Sequence, residues 1–222
     1  MPGDTGYVQA LDLACGALLL TAVLIVWRRE LAVLIRVFAV QGLAVAGLVA
    51  VLAAHERSAE LAAVAVGLAV LRAGILPAVL RRALAKAGQA RRETRPLVNV
   101  AASLLAVAVL TMLAYAVSQP LIALAPSAAT QAVPVGMTVV LIGFFVLVTR
   151  RRALSQLVGF LLMDNGITAV GFLTTSGAGL AVELGVSLDV LLAVLVLQVL
   201  ASRMWDTFGS ADLDELRELR DS

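Results

Sequence analysis

The sequence predicts an all-α polytopic membrane protein with about seven transmembrane helices, arranged as two parallel three-helix repeats joined by helix four. Three observations predict this. The chain is 61% hydrophobic with a mean hydropathy of +1.00, more apolar than a soluble domain of 222 residues needs. Its apolar runs reach the length of about 18 or more residues that crosses a bilayer. Basic clusters follow every second run, as alternating loops on the two sides of a membrane require.

The seven expected spans are 8–27, 31–53, 61–80, 97–118, 133–149, 156–175 and 182–202. The first is preceded by Asp4 and contains Asp12, with no basic n-region, so it is expected to remain as a helix rather than act as a secretory signal. The second ends at the short loop His55-Glu56-Arg57. The third holds Arg72, and Gly74 and Pro77 beyond it are expected to kink the helix. The polar stretch 81–95 is expected as a cytoplasmic loop with a helical turn or two, able to meet anionic lipid headgroups. The stretch 120–134 carries three prolines and is expected as an outer loop with a short interfacial segment. In the sixth run, Asp164-Asn165-Gly166 is a candidate helix break, because Asn and Gly are poor helix formers. After the seventh run, Ser210 caps a short amphipathic tail striped by Leu213, Leu216 and Leu219, which needs a surface such as a cytoplasmic partner.

Four parts follow: an N-terminal three-helix repeat 1–80, a connecting region 81–132, a C-terminal three-helix repeat 133–203 and a cytoplasmic tail 204–222. A shift of 123 residues aligns Arg28-Arg29-Glu30-Leu31 with Arg151-Arg152-Ala153-Leu154, and Glu60-Leu61 with Glu183-Leu184, without a gap. Under this alignment Asp164 falls on Gln41 and Asp189 on Val66. The acids belong to the second copy, and the first looks like its structural relic. The basic residues Arg28–Arg29, Arg81 to Arg95, Arg150–Arg152 and Arg203 place the N-terminus outside and the C-terminus in the cytoplasm of a cell membrane.

Much chemistry is excluded. Cys15 and His55 stand alone, so no set exists for an iron–sulfur cluster, zinc or haem. No Gly-rich phosphate loop and no Ser/His/Asp set occurs. No cofactor, no metal and no catalytic residue is expected. The pI of about 9.2 reflects membrane orientation rather than nucleic acid.

What remains is a set of polar groups inside apolar runs. Asp164 lies twelve residues beyond Arg152, about 18 Å, and Asp189 fourteen before Arg203, about 21 Å. Both acids are therefore expected near mid-membrane on consecutive antiparallel helices. Intramembrane acids are costly and mark functional sites. Desolvation disfavours a charged carboxylate, so such an acid can take up and release a proton. Gln41, Asn165, Thr168 and Ser187 are candidate relay partners. Glu183 belongs near the outer boundary, as a helix N-terminal acid or the mouth of a path. Arg36 lies close enough to the helix end to snorkel. Arg72 does not, and pairs with a carboxylate of this chain or of a neighbour. An acid held by Arg36 or Arg72, with no transport role, is the alternative.

The segments RRRALSQLVGFLLMDNGITAVGF and VELGVSLDVLLAVLV resemble the hydrogenase-4 component E family, membrane subunits of energy-converting hydrogenase and formate hydrogenlyase complexes. The same two helices are similar to the K subunit of respiratory complex I and its counterpart in multisubunit cation/proton antiporters. The resemblance implies a non-catalytic membrane subunit of a redox-driven, complex-I-like assembly, lending carboxylates to a proton path. In the K subunit two intramembrane glutamates carry that role. Asp189 matches the second. With Gly159 shared, the first falls at Leu161, one helical turn from Asp164 and on nearly the same face. The implied partners are hydrogenase or complex-I-like subunits and antiporter-like membrane subunits. A cation/proton antiporter subunit and a purely structural subunit are the competing expectations.

Overall fold

The computed structural model describes residues 2–86, 99–151 and 153–175. Among them every regular element is helical. Six helices are long and apolar enough to cross a membrane. The expected seventh span, Glu183, Asp189 and the tail lie outside the described residues, as do residues 87–98 of the basic linker.

The first two helices, α1 (Pro2–Trp27) and α2 (Leu31–Glu56), form a hairpin. Leu11, Cys15, Leu18, Ala22 and Ile25 are buried on α1, and Leu34, Phe38, Val45, Leu48 and Leu52 on α2. Such spacing of three, four and seven puts each set on one helical face. Arg57 ends α2 in the left-handed region, with φ 52°. Ser58 then starts the third span, its hydroxyl accepting the Leu61 N–H at 3.2 Å.

That third span has three parts: α3 (Ala59–Leu68), a π-helical segment Ala69–Ile75, and α4 (Leu76–Lys86). The expected distortion around Gly74 and Pro77 takes the form of this wider turn. It lies directly before Pro77, whose ring crowds the carbonyl four residues earlier and which offers no N–H. The Leu76 N–H reaches back five residues to the Leu71 carbonyl.

Asn99 caps α5 (Val100–Leu124), accepting the Ala102 N–H at 2.7 Å. This helix corrects the expected outer loop at 120–134. It runs straight through Pro120, and only 125–127 separate it from the short α6 (Ala128–Gln131). Membrane helices tolerate an interior proline where neighbouring groups take up the freed backbone. Ser127 and Thr130 cap α6 reciprocally, at 3.1 and 2.8 Å. Pro134 sits in the first turn of α7 (Val133–Thr149), where its missing N–H costs nothing.

Among the described residues the hairpin of α7 and α8 (Ala153–Thr175) is the most extensive helix pairing. A Cβ on Gly166 would lie 2.5 Å from the Val140 nitrogen, and one on Gly159 2.8 Å from the Leu147 nitrogen. Gly143 likewise lies against the Met163 backbone. Small residues let apolar helices approach this far and gain packing that lipid does not supply. The expected break at Asp164-Asn165-Gly166 is absent: α8 is continuous, because Gly166 serves the helix contact and Asn165 is held from its side.

The two hairpins pack side by side. α1 lies against α7 and α2 against α8, while the third span packs behind α2. α5 leans on α7 and α1 and exposes most of its apolar surface, including Leu105, Val109, Met112 and Leu124, as a lipid-facing helix does.

Candidate functional site

Among the described residues the largest fully buried side chain is that of Arg72. It is 1% exposed and stands within the π-helical segment. That segment packs on α2 at Gly42, where a Cβ would come within 2.7 Å of the Arg72 carbonyl carbon and oxygen. The absence of a side chain at Gly42 brings the backbone of the third span onto α2. The arginine then has the length to reach α8.

On α8 three consecutive-turn residues receive it. Nη2 lies 2.8 Å from Oδ2 of Asp164 and donates to Oγ1 of Thr168 at 2.8 Å. Nη1 donates to Oδ1 of Asn165 at 2.5 Å. The Thr168 hydroxyl in turn donates to the Asp164 carbonyl at 2.9 Å. Thr168 lies four residues after Asp164 and three after Asn165, so its side chain neighbours both on α8. All are buried. A guanidinium is permanently charged, and its planar fork suits this divided set of acceptors.

The structure therefore brings together Arg72, Asp164 and Asn165 from the expected site, with Thr168 as a fourth member. The pairing is the one weighed as the alternative, and the partner is Arg72. Arg36 is exposed at its helix end, as snorkelling requires. Gln41 is wholly buried on α2, one residue before the Gly42 contact, and among the described residues neither atom of its amide has a hydrogen-bond partner. Nδ2 of Asn165 also has none. Glu183, Asp189 and Ser187 lie outside the described residues.

The first half supplies the cation for the acid of the second half, and neither half holds the pair alone. Sequence reasoning also missed Arg150, expected only as an orientation signal. Its guanidinium is buried and donates to the carbonyls of Ile25, Val26 and Arg28 at 3.3, 2.8 and 3.0 Å. These carbonyls end α1, where a cation is favoured. Nothing in a run of three arginines distinguishes the one that turns inward.

Away from the ion pair, Tyr7 stacks on His55 with centroids 3.8 Å apart and planes 16° apart. His55 lies in the last turn of α2 rather than in the expected loop. A cavity of about 300 Å³ beside them is lined by Leu52, Glu56 and Ser127 and includes no member of the Arg72 cluster. Among the described residues no group of three or more His, Cys, Asp or Glu side chains is placed to hold a metal.

No protein-family model matches the chain, and no solved structure matches it with significance. Over 210 residues it is 50% identical to the uncharacterized protein Rv0085 of Mycobacterium tuberculosis, covering 95% of this chain and 96% of that one. The chain belongs to the Rv0085 family. A second likeness is local. Over 80 residues it is 36% identical to hydrogenase-4 component E of Escherichia coli, and equally to that of Shigella flexneri. The match covers 36% of this chain and 37% of the hydrogenase-4 subunit. The chain is thus a multi-pass helical protein with partial homology to a hydrogenase-4 membrane subunit.

Proposed function

We propose that this chain is an integral membrane subunit of a redox-driven, complex-I-like hydrogenase or related complex, and that its intramembrane carboxylates form part of a proton path. The observation that carries the proposal is the Arg72–Asp164 pair, buried mid-span and shared between the two halves. The local likeness to hydrogenase-4 component E supports the assembly. In this proposal the two halves are parallel repeats and Asp189 is a second carboxylate at similar depth. The N-terminus faces outward, the C-terminus lies in the cytoplasm, and the tail docks on a cytoplasmic subunit. Arg72, Gln41 and Asn165 flank the path, and Glu183 stands at its outer end.

Charge balance gives the pair a mechanism. Arg72 keeps its charge, and a buried arginine without a counter-ion is strongly unfavourable. A proton arriving on Asp164 removes that counter-ion. Uptake at Asp164 is therefore tied to a second anion approaching Arg72, or to Arg72 leaving α8. Asp189 is the proposed second anion. A proton passed between two carboxylates that take turns on one guanidinium never leaves the cation bare.

A structural subunit without a proton path is the second reading. It is favoured by the number of polar contacts that tie the third span to α8. The test is proton pumping by the purified complex in vesicles. Asp164→Asn is expected to lower pumping while assembly persists. Undiminished pumping by Asp164→Asn/Asp189→Asn would make the pair a staple only. Mass spectrometry of proteins copurified in mild detergent separates the assemblies. Nickel–iron hydrogenase or complex-I-like subunits favour the redox arm, and antiporter-like subunits alone favour a cation/proton exchanger.

A further inference from the structure

Gln41 is the buried group that the ion pair does not use. Its amide offers donors and an acceptor, is 0% exposed, and meets no partner among the described residues. In a membrane interior an unmet amide is among the least tolerated groups, because no bulk water reaches it. It is not isolated in the fold. The next residue, Gly42, touches the Arg72 backbone, and the far end of the same arginine carries Asn165, whose Nδ2 is equally unmet. α2 also packs directly on α8. Two buried, unmet amides therefore lie on two helices that pack together, one next in sequence to the residue touching the Arg72 backbone and the other holding the Arg72 guanidinium. A buried water is held by two to four polar partners, and the two amides offer such groups.

We propose that Gln41 and Asn165 bind a short file of water along Arg72, making the α2 side the hydrated approach to Asp164. Gln41 is then a positioning residue, with water as its ligand, and the first half of the chain provides the entry to an acid carried by the second. This rests on the proton reading of Asp164 only for its role in transport. The water site stands or falls separately.

The test is infrared difference spectroscopy of the full chain in lipid nanodiscs, exchanging ordinary water for H₂¹⁸O. The expected result is an isotope-sensitive O–H stretch of buried water in the wild type. Gln41→Met has similar volume and no amide, and should lose that band. Asn165→Leu should weaken it as well. Gln41→Asn, which keeps the amide, should retain it and serves as a control for folding. Absence of the band in the wild type overturns the proposal, as does its persistence unchanged in Gln41→Met. Proton pumping by the same variants in the assembled complex separates the two claims. If Gln41→Met loses the band while Asp164→Asn pumps normally, the water site holds and the proton path fails. If Asp164→Asn abolishes pumping and Gln41→Met leaves both band and pumping unchanged, the proton path holds and the water file fails.

Discussion

The two hairpins follow one plan with opposite packing chemistry. α1 ends at Trp27 and α2 starts at Leu31, while α7 ends at Thr149 and α8 starts at Ala153. Their turns correspond to within a residue under the shift seen in the sequence. Yet α1 and α2 meet through large side chains, and a Cβ on Gly16 or Gly47 would meet nothing within 4 Å. α7 and α8 meet through glycines that admit no side chain. The second hairpin also sends out two buried charged groups, Asp164 to the third span and Arg150 to the end of α1. The third span answers with Arg72, and the first hairpin with backbone carbonyls. Two hairpins can thus share the position of their turns while one becomes scaffold and receptor for the other's charge.

The largest break is at Arg72. Arg72→Leu strands the Asp164 carboxylate, and stranding one partner of a buried pair costs about 3–5 kcal/mol. Loss of the purified, folded chain is the expected outcome. Arg72→Leu/Asp164→Leu should recover most of that loss, since apolar replacement of both partners is often neutral. The buried Cys15 is the chain's single cysteine, so a thiol-reactive dye followed against temperature reads unfolding of every variant directly.

The glycines sharpen the contrast at the next magnitude. Gly143→Val or Gly166→Val forces a side chain into the facing backbone, for about 1–3 kcal/mol and a lower melting temperature. Gly47→Ala, made in the first hairpin, should be neutral or gain up to about 1 kcal/mol from helix propensity. Equal losses from Gly166→Val and Gly47→Ala would erase the distinction drawn here. Arg150→Ala removes the cation from the carbonyls ending α1 and should cost about 1–2 kcal/mol. Its reverse control, Arg28→Ala, should cost less. Of the contacts around Arg72, Thr168→Val should cost least, about 0.5–1.5 kcal/mol, because Asp164 and Asn165 still hold the guanidinium.

The spans were legible because length and composition alone decide whether a run can cross a bilayer. Six of the expected seven correspond to helices among the described residues, and Ser58 and Asn99 mark two starts by ordinary capping. The errors came from reading local breakers as if in water. Pro120 and the Asp-Asn-Gly triplet end helices in soluble proteins, where the backbone can turn to solvent. In an apolar setting it cannot, so the helices continue. The ion pair was legible as a choice of partners and no further. Helices apolar on all sides carry no stripe to say which face meets which neighbour. Arg72 was conspicuous by depth, but the contact that steers it to α8 is the bare backbone of Gly42. A glycine with that duty reads no differently from Gly47 five residues later, which has none.

The distance along the chain between the paired charges bears on how the protein is made. Asn165, beside Asp164, lies 93 residues after Arg72. A ribosome feeding this chain into the membrane delivers the third span long before it has synthesised the carboxylate. An uncompensated arginine at a helix centre disfavours insertion by about 2.5–3.5 kcal/mol. The third span therefore enters as the weakest of the early segments and is secured only when α8 arrives. A chain cut short before α8 would present an unanchored segment to the cell's quality-control proteases.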